Sequence, residues 1–170
     1  PACPGRYEMA NLSPGDRDVL ANAVDQIAVD YDVIITDTGA GIGSSSVSFA
    51  ASADEVVLVA TPDPTAIRDA YAMAKVLAQR GGVEQIRLIA NQVSSEAQGA
   101  SLHDTLRGLI RRFLPIELTL LGCVPRDDAV RAGTLHGAPF LLHTPGSHAA
   151  RAVSAIAKRL VPQQASRVVC

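Results

Sequence analysis

Tyr31-Asp-Val-Ile-Ile-Thr-Asp-Thr-Gly-Ala-Gly-Ile-Gly-Ser-Ser-Ser46 is the stretch whose reading decides the fold. Val33, Ile34 and Ile35 are unbroken and β-branched, the composition of a strand buried on both faces of a parallel sheet. Asp37 then stands at the strand's carboxyl end, where open α/β sheets keep their ligands. Thr38 to Gly43 supplies three glycines, whose backbone N–H groups can approach an anion with no side chain in the way. Acid, strand end and glycine loop together point to metal and phosphate chemistry. Taken alone, the same string also describes a buried strand leaving through an ordinary turn.

Upstream of this stretch, Ser13 is a candidate N-cap, Pro14 a first helical residue and Asp16 an acid near the positive end of the dipole. Val19, Ala23 and Ile27, beside Leu20 and Val24, predict a helix with a buried stripe to about Val29. Pro1 to Arg6 reads as a cut end or linker, and a start at Pro1 suggests a segment of something longer. Downstream, Ser46 to Ser52 suits a short helix, and Glu55 to Ala60 is a second apolar strand. Two prolines, Pro62 and Pro64, stop it because they cannot continue a ladder. Ala66, Ala70, Met73, Ala74 and Leu77 share one face of a helix that ends at Gly81-Gly82.

Gln85 to Ala90 predicts a third strand ending at Asn91-Gln-Val93, followed by a loop over Ser94 to Ala100. Leu102, Leu106, Leu109, Ile110 and Phe113 mark a helix closing before Pro115. Leu118 to Val124 is a fourth strand that runs into Pro125-Arg-Asp-Asp128. A short helix to Gly133, an irregular or edge segment over 137–142 and a last helix from Ser147 to Pro162 complete the pattern. The alternation predicts an α/β fold, a parallel sheet covered by helices on both faces, as one domain over 1–162 with a disordered tail over 163–170.

Composition narrows the function classes. The 170 residues fit a single core, and 48% hydrophobic content with 4% aromatics and no Trp makes that core aliphatic. A net charge of −2 supplies no basic field for nucleic acid. Cys3, Cys123 and Cys170 lack CxxC spacing, which indicates neither a disulfide framework nor a zinc site and fits a reducing cytoplasm. No apolar run approaches the roughly 18–20 residues of a membrane span. Of His103, His136, His143 and His148, only His143 and His148 are near each other, and they straddle Pro145-Gly146 with no acidic partner; Ser44, Ser45 and Ser46 lack a nucleophile elbow.

Four motifs in order at strand ends resemble one family: Asp-Thr-Gly-Ala-Gly-Ile at 37–42, Thr-Pro-Asp-Pro-Thr-Ala-Ile-Arg-Asp-Ala-Tyr at 61–71, Asn-Gln-Val at 91–93 and Leu-Gly-Cys-Val-Pro-Arg-Asp at 121–127. They look like the C-terminal two-thirds of a MinD/ParA-type P-loop ATPase, over about Gly5 to Pro162. Ala-Asn-Leu-Ser at 10–13 and Asp-Ala-Tyr-Ala at 69–72 are most similar to the flagellar site and number regulators FlhG or FleN. The resemblance implies ATP/ADP and Mg²⁺ as cofactors, with Asp37 on the Mg²⁺ water shell and Gly39, Ala40 and Gly41 in a loop that senses the γ-phosphate. It places Asn91 against adenine, with Pro125, Arg126 and Asp127 on the other side of the base, although the family commonly has Glu where this chain has Arg126. Thr61 to Asp69, with Arg68, falls near the nucleotide and the face of an ATP-dependent homodimer.

The largest departure is that no Gly-x-x-x-x-Gly-Lys-Ser/Thr loop, and no two-lysine variant of it, occurs in these residues; Lys75 and Lys158 lie inside predicted helices. The parent family hydrolyses ATP, but this chain holds no catalytic residue of its own and nothing to neutralise the β- and γ-phosphates. The family's phosphate-loop strand pairs beside the strand ending at Asp37, so a gap or exposed edge and low stability are expected of the segment alone. The resemblance also implies a cytoplasmic protein, peripheral at the inner face of the membrane through weak association, with a protein partner in a flagellar or positioning system. A partition ATPase and a non-catalytic interaction module are the alternatives.

Overall fold

The structure, a computed structural model, describes residues 14–39, 41–160 and 166–169. Chain order is α1 (Pro14–Ala28), β1 (Val33–Thr36), α2 (Ser44–Ala51), β2 (Glu55–Ala60), α3 (Pro64–Gly81), β3 (Gln85–Val93), α4 (Glu96–Phe113), β4 (Glu117–Pro125), α5 (Asp128–Leu135), α6 (Phe140–His143), α7 (His148–Leu160) and β5 (Ser166–Val169). The strands form one sheet in the order β1-β5-β2-β3-β4, and every ladder is parallel.

Alternation along the central strands divides the core between the two faces. Val56, Ala60, Ile86, Leu88, Ala90 and Leu118 point toward α2, α3 and α4, where they bury against Val47, Ala74, Leu77, Leu106 and Ile110. Val57, Leu121 and Val124 point the other way, onto Ala149 and Ile156 of α7. A register shift in the β3–β4 ladder, from Leu88↔Leu120 to Ile89↔Gly122, leaves Leu121 as the extra residue. That bulge changes the parity of β4, so Leu118 and Cys123 reach one face and Leu121 and Val124 the other. The buried side chains are aliphatic or Cys, as the composition predicts. Each fully buried Leu or Ile contributes about 1.5–3 kcal/mol.

Two contacts fix the helices at close range. A Cβ on Gly99 of α4 would lie 2.2 Å from Cys123 Sγ, and one on Gly122 of β4 would lie 2.6 Å from Ile156 Cγ1 of α7. Only glycine lets these helices sit so near β4. On the α7 side, Arg159 Nη1 donates to the Leu121 carbonyl at 2.7 Å, while Arg87 pairs with Glu55 across β3 and β2 and donates to the Arg159 carbonyl at 3.2 Å.

Several expectations change. The α1 stripe is not buried: Val19 is 70% exposed and Ile27 is 49% exposed. Helical periodicity reports that a face can be covered, not that the described residues cover it. The tail expected to be disordered over 163–170 instead supplies β5, while 161–165 and Cys170 lie outside the described residues. β5 occupies the gap expected beside β1. Helix α4 begins within the loop expected over 94–100, and the expected irregular segment over 137–142 contains the turn of α6. Among the described residues, no helix is long and apolar enough to cross a membrane.

Candidate functional site

Two cavities open near the carboxyl ends of the strands, and the predicted site residues divide between them. The first, about 410 Å³, is lined by Asp37, Thr38, Gly39 and Gly41 after β1, by Val56 to Val59 of β2, and by Ala66, Asp69, Ala70, Met73 and Leu77 of α3. Asp37 is solvent-exposed, so its carboxylate is available to a ligand. Gly41 has φ 95°, a left-handed conformation that disfavours any side chain, and a Cβ at Gly39 or Gly41 would meet nothing within 4 Å. Backbone on this loop is therefore open to an incoming group. Ala40 lies outside the described residues.

The loop is tied from its far end. Ser46 Oγ, on the first turns of α2, donates to the Gly39 carbonyl at 3.1 Å. That hydrogen bond gives the serine run a role the sequence did not disclose. The signal was proximity alone, a hydroxyl one helical turn past a glycine loop.

The second cavity, about 400 Å³ and more polar, is lined by Thr61, Pro62, Asp63, Pro64, Gln92, Ser94, Gln98 and Arg126. Its floor is the β3–β4 ladder where Asn91 pairs with Val124 and Val93 with Pro125, which leaves Gln92 as a bulge. Gln92 has φ 55°, the one positive φ of a non-glycine residue among the described residues. Asn91 Oδ1 accepts the Gln92 N–H at 2.9 Å and so stabilises that turn. The bulge aims Gln92 into the cavity, while Asn91, half-buried, is not among its lining residues. Gln98 Oε1 accepts from the Ser94 N–H at 2.7 Å and the Ser94 hydroxyl at 2.9 Å, and Ser95 Oγ accepts the Gln98 N–H at 3.2 Å. This is a near-relative of the capping box, and it starts α4 at Glu96.

The predicted base-side residues separate. Arg126 is exposed and faces the polar cavity, and its N–H is held by the Val93 carbonyl at 2.9 Å. Pro125 ends β4 beside it. Asp127 turns away from the cavity and caps two helices: Oδ1 accepts the Ala129 N–H of α5 at 2.9 Å, and Oδ2 accepts the Ala149 N–H of α7 at 3.0 Å. Those backbone N–H groups, that of Ala149 first, hold the Asp127 carboxyl below the usual carboxylate range, with His148 adding to the effect.

Other side chains carry structural work. Burial, then the hydrogen bond and charge of Glu96, push the Cys123 thiol up to about 11, so it is protonated at neutral pH and no nucleophile. His103 Nε2 bonds the Leu118 carbonyl at 3.1 Å, the His136 and His143 rings lie 5.6 Å apart, and His148 Nδ1 meets Arg151 at 3.1 Å. No cluster of three metal-ligating side chains exists among the described residues.

The residues present suit part of a Mg²⁺–nucleotide group. One exposed carboxylate is a sufficient protein ligand for Mg²⁺, which keeps several waters and takes the rest of its shell from phosphate oxygens. The first cavity's lining includes no Lys or Arg, however, so the charge of a triphosphate is not met there by these residues.

A family model described as "Cellulose biosynthesis protein BcsQ" matches residues 5–161. The antiactivator FleN of Pseudomonas aeruginosa is 37% identical over 160 residues, covering 94% of this chain and 57% of that protein. The flagellum site-determining protein YlxH of Helicobacter pylori is 34% identical over 134 residues, covering 71% of this chain and 45% of that protein. Among solved structures, the cell division ATPase MinD of Pyrococcus furiosus superposes with a TM-score of 0.67 at 24% identity, covering 85% of this chain and 57% of that one. MinD of Pyrococcus horikoshii complexed with Mg-ADP gives 0.66 at 24% identity, covering 85% and 56%. These structures share the fold, and the chain spans about half the length of the curated relatives it matches.

Proposed function

We propose that this chain, which belongs to the MinD/ParA-like ATPase family, forms the nucleotide-sensing part of an ATP-dependent dimerisation switch that regulates flagellar number or placement. The observation that carries the reading is Asp37, exposed at the carboxyl end of β1 and followed by the open backbone of Gly39 and Gly41 at the mouth of the first cavity. In this reading Asp37 holds the water shell of Mg²⁺, and the Gly39–Gly41 backbone reports whether a terminal phosphate is present. Bound Mg²⁺ supplies charge neutralisation for the phosphates. Ser46, through the Gly39 carbonyl, relays loop position to α2.

The polar cavity is the corresponding place for the base. Gln92, Gln98 and Arg126 surround it with amide and guanidinium donors, and Asn91 acts through the bulge it stabilises. Asp69, which lines the first cavity from α3, and its exposed neighbour Arg68 are suited to the dimer face. Flagellar regulation is the favoured setting because the FleN likeness extends over 94% of the chain. A cytoplasmic protein with weak membrane association belongs to the same reading.

The test is Asp37→Ala in the full-length protein. It should abolish Mg²⁺-dependent ATP hydrolysis and ATP-induced dimerisation while leaving the circular dichroism spectrum and melting temperature in place. Unchanged turnover in the variant would remove Asp37, and with it the assignment of the first cavity.

A further inference from the structure

The two histidines nearest in sequence are not the two that meet. His148 Nδ1 is engaged with Arg151 at 3.1 Å, whereas His136, the C-cap of α5, and His143, the last residue of α6, bring their ring centroids to 5.6 Å with 41° between the planes. Both side chains are exposed, and among the described residues neither imidazole has a hydrogen bond or an ion pair. A hairpin built for close approach holds them there. Gly133 of α5 is buried, and a Cβ on it would lie 2.9 Å from the Ala138 carbonyl oxygen and 3.0 Å from Phe140 Cβ. Only glycine lets α6 sit so near α5. Gly137 turns the chain between them at φ 64°, while the Gly137 N–H donates to the Thr134 carbonyl at 3.2 Å and the Ala138 N–H to the Gly133 carbonyl at 3.1 Å. Val130 and Phe140 then anchor the two helices on the core cluster of Leu121 and Ile156. The spacing of the imidazoles is thus set by backbone and core.

We propose that His136 and His143 form a two-imidazole site for a divalent transition-metal ion of the Zn²⁺, Ni²⁺ or Cu²⁺ class, with water or an external ligand at its remaining positions. With metal–nitrogen bonds of about 2.0–2.1 Å, two imidazoles sharing a tetrahedral ion hold their ring centroids about 5 Å apart. The 5.6 Å found here is about half an ångström wider, a difference that small torsional adjustments of two exposed side chains close. Imidazole nitrogen selects these ions over Mg²⁺, which takes oxygen ligands. Among the described residues no carboxylate or thiolate joins the pair to make a set of three, so the ion keeps open positions and its full charge. The site stands on the hairpin alone and does not require nucleotide binding.

The test titrates the nucleotide-free full-length protein with Zn²⁺ and follows the imidazole nitrogens by NMR. The resonances of His136 and His143 should shift together and saturate together, with His103 and His148 unmoved. His136→Ala and His143→Ala should each weaken Zn²⁺ binding by about tenfold or more, because the second imidazole binds as an intramolecular event, and the double variant should add little to either single one. Gly133→Ala separates a chelate from two solitary surface histidines. It keeps both imidazoles but pushes α6 off α5, so it should weaken Zn²⁺ by a similar factor while the circular dichroism spectrum stays native. If that variant does not fold, Gly137→Ala, which strains the left-handed turn, replaces it in the same comparison. Shifts at one of the two histidines only, undiminished affinity in the double variant, or undiminished affinity with the hairpin displaced overturns the proposal. So does His103 or His148 shifting in step with the pair, which marks adventitious binding only.

Discussion

The seat of α4 on β4 predicts an outcome that depends on one sulfur atom. An added methyl at Gly99 would sit 2.2 Å from Cys123 Sγ, but 3.4 Å from Cys123 Cβ and 3.5 Å from Ala90 Cβ. The two carbon distances are ordinary contact or close to it, so only Sγ must move. Cys123 is buried and its thiol is already engaged with Glu96, which leaves it little room. Overpacking costs about 1–3 kcal/mol, and a 2.2 Å overlap belongs in the upper part of that range, about 2–3 kcal/mol, offset by about 0.8–1.0 kcal/mol for replacing glycine within a helix. Gly99→Ala should therefore destabilise by about 1–2 kcal/mol, a loss of about 2–4 °C per kcal/mol in a domain of this size. Cys123→Ala removes the obstruction along with some buried surface, at about 1 kcal/mol.

The double variant carries the decisive information. With the sulfur gone, the methyl added at Gly99 fits, and Gly99→Ala/Cys123→Ala should be as stable as Cys123→Ala or better. Urea unfolding with an unchanged m-value is the assay. Wild-type stability in Gly99→Ala, or strict additivity in the double variant, would refute the packing argument. The result also bears on the site, because Gln98, the neighbour of Gly99, walls the polar cavity.

Asp127→Asn should lower the melting temperature at neutral pH by weakening the caps on α5 and α7 together. Because the native carboxyl titrates below its ordinary value of 3.8, its stabilisation is present above that pH and fades below it. The gap between wild type and variant should close in melts taken as pH falls from about 7 toward about 2.5, and a pH-independent gap would count against the cap. Gln92→Gly relieves a left-handed conformation that costs about 1–2 kcal/mol in a non-glycine residue, so stability should hold or rise while the side-chain contribution to the polar cavity disappears. Melting temperature together with nucleotide affinity separates the two effects.

The fold was legible because β1 to β4 each carry their own signal. Val33 to Ile35, Glu55 to Ala60 and Leu118 to Val124 are apolar runs between turn residues, and the solved relatives share the parallel sheet with helices on both faces. Position within the sheet was not legible for β5, since Ser-Arg-Val-Val is too short to show a period and pairs with residues far away in sequence. The missed start of α4 has a local cause. Ser95 and Gln98 are a capping signal hidden in a polar run that resembles a loop. At the candidate site, type and placement came apart. Asp37 is where a strand-end acid belongs, but a bulge exchanges Asn91 for Gln92 at the cavity wall, and a backbone N–H 22 residues along the chain claims one oxygen of Asp127.

The pinning of Arg126 to Val93 and of Asp127 to two helix ends leaves the two cavities mechanically unlike. The polar one is a stiff jaw: its floor is a nine-residue strand paired with another nine-residue strand, and its neighbouring turn is riveted at both ends. The other rests on a shorter ladder, because Asp37 follows a four-residue strand whose sheet partner among the described residues is itself four residues long. A load applied across the mouth of the molecule is therefore absorbed on the Asp37 side.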